Sequence, residues 1–297
     1  MTKSGDKIEH DQKQKAHPFI KWAGGKSRVV GCIKNFFPKK FNSYFEPFLG
    51  SAALYFAVSP RKGRLNDLNK ALIDTYIVVR DNVELLIIEL TKVQDEYYKL
   101  ARIELKKEYY LERRSEFNAI SMPSSTRKSA LFIFLNKTGF NGMYRENKSG
   151  QYNIPFGKQN HPLICDEANL RTVSSDLRDI NLTSMSYQDA IRDAGPKDLV
   201  YLDPPYYPLT STSNFTEYQA GGFTVKDQTE LRDIFRELDK KGCYVVMSNS
   251  ACKEINDLYE GYSISHIQVA RAINSKINKR GKIDEVVITN FDIEGNA

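Results

Sequence analysis

The stretch LVYLDPPYYP, Leu199 to Pro208, closes an apolar run with one acid, three prolines and tyrosine rings. A residue before proline is pushed out of helical backbone, and Pro204 and Pro205 cannot donate a backbone hydrogen bond. The strand therefore has to end near Asp203, leaving its carboxylate and the Pro204 carbonyl as neighbouring acceptors. Tyr206 adds a flat ring. This set suits a planar exocyclic amine on a base, whose lone pair is delocalised and poorly nucleophilic. Acceptors on both N–H bonds favour a tetrahedral nitrogen and stabilise the positive charge that develops during attack. Stacking on an aromatic face holds a base with about 1–3 kcal/mol. The plainer alternative is a strand ending in a proline-rich turn with a solvated aspartate.

Other short motifs place a ligand beside that corner. In PFIKWAGGKSRVV, Pro18 to Val30, paired glycines precede a helix with Lys26 at its start, which permits close backbone approach. The phosphate-loop pattern is absent. Trp22, the only tryptophan, is either a core residue or a stacking platform. FEPFLGSAAL, Phe45 to Leu54, reads as strand, turn and helix, with Phe48 and Gly50 at the turn. In LNDLN, Asp67 ends the next strand, where an acid commonly accepts hydrogen bonds from ribose hydroxyls. Asp67 or Asn66 as a helix N-cap is the competing reading.

These residues need a scaffold, and the hydrophobic pattern supplies one. Strand-like runs occur at Ser43–Phe48, Gly63–Asp67, Ile180–Ser186, Leu199–Asp203, Cys243–Asn249, Tyr262–Val269 and Glu285–Phe291. Near-continuous hydrophobicity in LVYL and YVVM suits strands buried on both faces of a parallel sheet. The last two runs alternate and suit an antiparallel hairpin at one edge. Helical signals lie between them, including Asp227-x-x-Glu230 opening a helix stopped by Gly242, and Ser250 to Tyr259. The pattern predicts a doubly wound α/β sheet. From Asp74 to Asp179 long helices take over: Asn69–Arg80 leads in, then Val83–Leu100, Glu108–Ile120 and Ser125–Lys137. A loop rich in Gly, Asn and aromatics follows from Asn136 to Gly157. The expected division is a tail over 1–17, a catalytic domain of 18–73 with 180–297, and a mostly helical insertion over 74–179.

The 297 residues carry a net charge of +6, with 41% hydrophobic and 27% charged side chains, ordinary for a globular enzyme. No apolar run approaches the roughly 20 residues that span a bilayer. Cys32, Cys165, Cys243 and Cys252 form no C-x-x-C pair, and no histidine lies at metal-ligand spacing from them, so a reduced, cytosolic chain without zinc is expected. Arg271, Lys276, Lys279, Arg280 and Lys282 form a basic stretch, either solvated or placed along nucleic-acid phosphates.

Taken in order, KWAGGK, FEPFLGSAAL, Asp67, FNGMYR…YNIPFG, DPPY, SNS and RGKIDEVVITN resemble the Dam-type DNA adenine-N6 methyltransferases. The resemblance runs from about Pro18 to Phe291. It implies a Rossmann-like domain binding S-adenosylmethionine, released as S-adenosylhomocysteine, and an inserted helical target-recognition domain. It assigns Trp22, Lys26, Phe48, Gly50 and Asp67 to the cofactor, with Asp203 between cofactor and adenine. Asp203, Pro204, Pro205 and Tyr206 form the catalytic set. On DNA it assigns Lys21 and Arg145 to guanines, Phe140 and Asn141 to the base stack, and Met143 and Pro155 to apolar contact. For Arg145 a solvated or phosphate-bound side chain, and for Phe140 a small-core anchor, are the alternatives. Where many relatives carry further glycines after Gly50, this chain has Ser51-Ala52-Ala53. The implied activity is metal-free methylation of a flipped adenine in double-stranded DNA, most simply in GATC, in the cytoplasm of a bacterial or phage-infected cell. An N4-cytosine, RNA or protein-amide methyltransferase, or an inactive DNA-binding relative, are the competing classes.

Overall fold

All four residues of LVYL are buried although successive side chains point to opposite sides of a strand, so the sheet is covered on both faces. The structure, a computed structural model, describes residues 15–122, 125–207, 223–270 and 282–293. Strands β1 (Tyr44–Glu46), β2 (Gly63–Asn66), β3 (Ile180–Thr183), β4 (Leu199–Leu202), β5 (Tyr244–Ser250), β6 (Ser263–Ala270) and β7 (Lys282–Thr289) form one sheet. Their spatial order is β3-β2-β1-β4-β5-β7-β6. Pairings from β3 across to β5 are parallel, and β7 runs antiparallel to both β5 and β6. Every strand run read from the sequence is present, and the last two form the expected edge hairpin.

The helices are α1 (Val30–Lys34), α2 (Ala53–Val58), α3 (Lys70–Asp81), α4 (Val83–Lys99), α5 (Ile103–Ala119), α6 (Thr126–Thr138), α7 (Glu167–Asp176), α8 (Tyr187–Ala190), α9 (Val225–Lys240) and α10 (Lys253–Leu258). On one sheet face, Phe45, Val200, Leu202 and Met247 pack with Leu231 and Phe235 of α9. On the other, Tyr44, Leu65, Leu199 and Tyr201 share a continuous core with Leu72 of α3, Leu90 of α4 and Phe134 of α6. Helix α6 is buried all round, from Ser129 through Asn136, because its ALFIFL run has no polar side to offer water.

Several boundaries differ from the sequence reading. Helix α9 starts at Val225, with Thr224 as N-cap in a reciprocal bond with Asp227, so Asp227 lies inside the first turn. Helix α5 starts at Ile103 rather than Glu108, and α7 and α8 had no sequence reading. The expected domain boundary at residue 74 falls within α3, and the long loop begins after Thr138. Ala16 and His17, placed by the sequence reading in a tail over 1–17, are packed instead: Ala16 is buried, and the backbone of His17 bonds both ways with the Asn169 side chain, at 3.0 and 2.9 Å. Residues 1–14 and the basic stretch at 271–281 lie outside the described residues. No described helix is long and apolar enough to cross a membrane.

Candidate active site

Strand order reverses between β1 and β4, which are parallel neighbours. Open α/β sheets bind ligands at the carboxyl ends of the strands flanking such a point. Here those ends carry Glu46 to Gly50 on one side and Asp203 to Tyr207 on the other.

The second loop is clamped along its length. Gln228 Nε2 donates to the Pro205 carbonyl at 3.0 Å, and Asn249 Oδ1 accepts from the Tyr207 N–H at 3.1 Å. Ser250 Oγ donates to the Tyr207 carbonyl at 2.8 Å, and Asn249 Nδ2 donates to Gln228 Oε1 at 3.1 Å. Gln228, Asn249 and Ser250 are buried, so each paired group avoids a large desolvation cost and fixes the loop in one arrangement. Pro205 is thereby a clamped backbone position. The Pro204 carbonyl takes no hydrogen bond from the described residues.

Asp203 is only 17% exposed at its side chain, and its Oδ1 lies 2.8 Å from Lys26 Nζ. The ammonium also donates to the Gly24 carbonyl at 2.9 Å and sits 4.5 Å from the centroid of the Tyr206 ring. Burial pushes the Asp203 carboxyl above the ordinary carboxylate range, Lys26 pulls it back, and the Glu285 carboxylate adds to the rise. Lys26 precedes α1 by a turn rather than opening it, since α1 begins at Val30.

On the β1 side, Gly50 has φ +49°, and a Cβ there would come within 2.7 Å of Trp22 Cδ1. Its N–H donates to Asp67 Oδ2 at 2.9 Å, while the Asn69 N–H donates to Asp67 Oδ1 at 2.9 Å. The N-cap reading of Asp67 and Asn66 is corrected by this geometry. Asn69 caps α3, accepting from the Leu72 N–H. Asn66 instead ties strand ends together, donating to the carbonyls of Pro47 and Met185. Trp22 is half-buried and stacks on Tyr144 with centroids 5.9 Å apart. Phe48 packs against Tyr187 and Phe223. Ala52 takes φ 57°, ψ 30°, so this turn forms with a left-handed alanine, at a cost of roughly 1–2 kcal/mol.

The loop after α6 is gripped by its backbone. From α5, Tyr110 Oη and Arg114 Nη1 donate to the Ile154 carbonyl at 2.9 and 3.1 Å. Asn118 bonds both the N–H and the carbonyl of Tyr152. At the tip Phe140 is 50% exposed, which removes the core-anchor reading, and Asn141 is left-handed at φ 54°. The Phe140 N–H donates to the carbonyl of exposed Pro155 at 2.9 Å, and Met143 is half-buried against the core. Arg145 Nε donates to Asn153 Oδ1 at 2.7 Å, and its Nη atoms meet no acceptor among the described residues. Asn136 joins this loop to the first motif: it accepts from the Lys21 N–H at 2.8 Å and donates to the carbonyls of Lys21 and Gly142 at 2.8 and 2.9 Å. Gly142 has φ +62°, and a Cβ there would lie 2.6 Å from Lys21 Cβ.

Comparison with known proteins shows the family of the chain. Residues 22–273 match the model of the D12 class N6 adenine-specific DNA methyltransferases. The chain belongs to this family. It is 39% identical over 278 residues to the type II methyltransferase M1.LlaDCHI of Lactococcus lactis subsp. cremoris, covering 92% of this chain and 95% of that one. It is 37% identical to the type II methyltransferase M.MjaIII of Methanocaldococcus jannaschii, over 92% of this chain and 99% of the relative. The DNA adenine methylase of Escherichia coli K12 is 32% identical, over 92% and 95%.

In this adenine methyltransferase the predicted residues fall into three groups. Asp203 and Tyr206 meet Lys26; Gly50 meets both Trp22 and Asp67; and Asn136 ties Lys21 to Gly142, in the loop that carries Phe140, Asn141, Met143, Arg145 and Pro155. Sequence reasoning missed Gln228, Asn136, Glu46 and Glu285. Glu46, at the end of β1, is 3% exposed and accepts from Tyr44 Oη at 2.9 Å. An acid as the last residue of a buried strand was the available signal. Gln228 carried none, because a glutamine in a helix usually faces water.

Proposed function

We propose that this methyltransferase moves the methyl group of S-adenosylmethionine to N6 of an adenine flipped out of double-stranded DNA, in the sequence GATC. The observation that carries this is the placement, at the switch point, of a carboxylate, a carbonyl that no described residue engages and an aromatic ring, all from DPPY. The donor's fit is supported by the exposed apolar side chains beside Asp67: Leu68 is 67% and Met185 37% exposed, at the ends of β2 and β3. These two flank the donor's adenine, Asp67 receives its ribose hydroxyls, and Trp22, Lys26, Phe48 and Gly50 border the remainder.

S-adenosylmethionine supplies, when bound, an electrophilic sulfonium methyl. Asp203 and the Pro204 carbonyl accept from the two N6 hydrogens of adenine, localising the nitrogen lone pair and stabilising its developing charge. Tyr206 stacks on the ring, and the clamped loop keeps all three in register, so positioning contributes much of the acceleration. The residues 74–179 act as the target-recognition part. Phe140 and Asn141 enter or abut the base stack, Lys21 and Arg145 reach guanines, and Met143 and Pro155 make apolar contact with a thymine methyl. The type II names of the two relatives at 39% and 37% identity support a modification role beside a restriction enzyme.

Labelled methyl transfer to unmethylated plasmid, followed by methyl-sensitive and methyl-dependent GATC nucleases, tests this directly. Protection at GATC is expected. Label without protection discards the target, and no label on DNA discards the reading.

A further inference from the structure

The motif RGKIDEVVITN stands out in the sequence, yet the roles above leave it without one. Its glutamate, Glu285, lies on β7 opposite Ser250 of β5. Ser250 is the residue that holds the Tyr207 carbonyl. The same register brings the Glu285 carboxylate to the Tyr206 hydroxyl, which donates to Oε2 at 2.8 Å. A one-residue slip of β7 would turn Glu285 to the other sheet face.

This tether differs from the others on the DPPY loop. Gln228, Asn249 and Ser250 hold the loop's backbone, and Lys26 Nζ lies over the face of the Tyr206 ring, 4.5 Å from its centroid. Among the described residues, Glu285 is the one hydrogen-bond partner of the Tyr206 hydroxyl at the far end of the ring. It also carries an electrostatic cost, because a second carboxylate near Asp203 raises that acid's protonation tendency. An arrangement that opposes the ionisation of the central acid is not one that stability alone favours.

We infer that Glu285 is a positioning residue for methyl transfer, holding the Tyr206 ring in the plane that receives the target adenine. The inference rests on the reading that Tyr206 stacks on the base. A carboxylate suits the task because its hydrogen bond to a phenol is charge-assisted and directional. Swinging of the ring would loosen the base without removing it, so the loss falls on the chemical step.

The test uses the full enzyme in single turnover with S-adenosylmethionine and a duplex carrying the wild-type enzyme's target. Glu285→Ala and Tyr206→Phe should each slow transfer about 10- to 100-fold, as small misplacements do. The double variant should be no slower than either, since both remove one contact. Glu285→Gln, whose amide oxygen still accepts, should return to within about threefold of wild type. Affinities for the duplex and for S-adenosylhomocysteine should stay within about twofold, while 2-aminopurine at the target reports weaker stacking. Additive losses, or a Glu285→Ala defect confined to affinity, would overturn the inference. So would a normal Glu285→Ala rate beside a slow Tyr206→Ala, which leaves the base-stacking reading standing. A normal Tyr206→Ala rate would remove that reading itself.

Discussion

The Lys26 ammonium stands 2.8 Å from the Asp203 carboxylate, with the two side chains 8% and 17% exposed. It is the cation that opposes burial at the central acid. Replacing it by methionine leaves burial and Glu285, both of which push the Asp203 carboxyl up. A protonated Asp203 is a poorer acceptor for an amine. Lys26→Met is therefore expected to lose about 10²-fold in single-turnover rate at neutral pH. The acidic limb of its pH–rate profile should shift to higher pH, so that raising pH recovers part of the loss. A profile merely scaled down, with its limb in place, would show that Lys26 does not set the charge of Asp203.

Asp203→Ala removes the acceptor itself. Turnover should fall by at least about 10³-fold while duplex binding, read by fluorescence anisotropy, stays near wild type. Near-normal turnover would take Asp203 out of the mechanism.

Arg145 is held through Nε by Asn153, and in the proposed role its two Nη groups form the fork for a guanine edge. Arg145→Ala should lose about 1–3 kcal/mol of discrimination at one guanine. Asn153→Ala should relax the same position to a smaller degree, because the fork remains but swings. Methylation rates across singly substituted duplexes give the ranking. An unchanged order in both variants would show that this arginine does not read the base.

Gly50 meets Trp22 at a distance no side chain can share. Gly50→Ala combines that clash with a left-handed backbone, which alone costs about 1–2 kcal/mol. A lower melting temperature and weaker S-adenosylhomocysteine binding are expected. Trp22 is the only tryptophan, so its emission reports displacement of the indole directly. Unaltered emission with unaltered affinity would show that the turn relaxes without moving the ring.

Glu46 makes stability depend on pH. Burial raises its carboxyl from 4.5 to about 8, against a lowering by the Tyr44 hydrogen bond. Between those values the folded protein keeps a proton that the unfolded chain has released. This contribution is therefore full below the lower value and is lost as pH rises through the upper one, with a slope of up to about 1.4 kcal/mol per pH unit. Glu46→Gln lacks the titration. Urea denaturation across this window should give a flatter stability profile for the variant, whereas parallel profiles would assign the slope to other groups.

The strands were legible because runs such as LVYL and YVVM are apolar on both sides, which only a covered sheet accommodates. The DPPY corner was legible because proline chemistry dictates where a strand stops. Helix α5 was read short because Ile103 to Lys107 has a mixed, weakly amphipathic pattern that only packing resolves. The N-cap of α9 was misplaced by one turn since Thr224 and Asp227 are both capping residues, and sequence cannot say which accepts first. Clamps such as Asn136 and Gln228 were invisible for a different reason: each holds a backbone group distant in the chain, of Lys21 and of Pro205, and a backbone group leaves no letter to read.

That last property bears on how such enzymes diverge. The loop from Gly139 to Gly157 is fastened through the carbonyls of Gly142, Ile154 and Pro155 and both backbone groups of Tyr152. Substitution at Phe140, Asn141, Met143 or Arg145 leaves those fastenings intact. In the proposed role, a lineage can rewrite the letters its enzyme reads one side chain at a time, while the scaffold that presents them stays fixed.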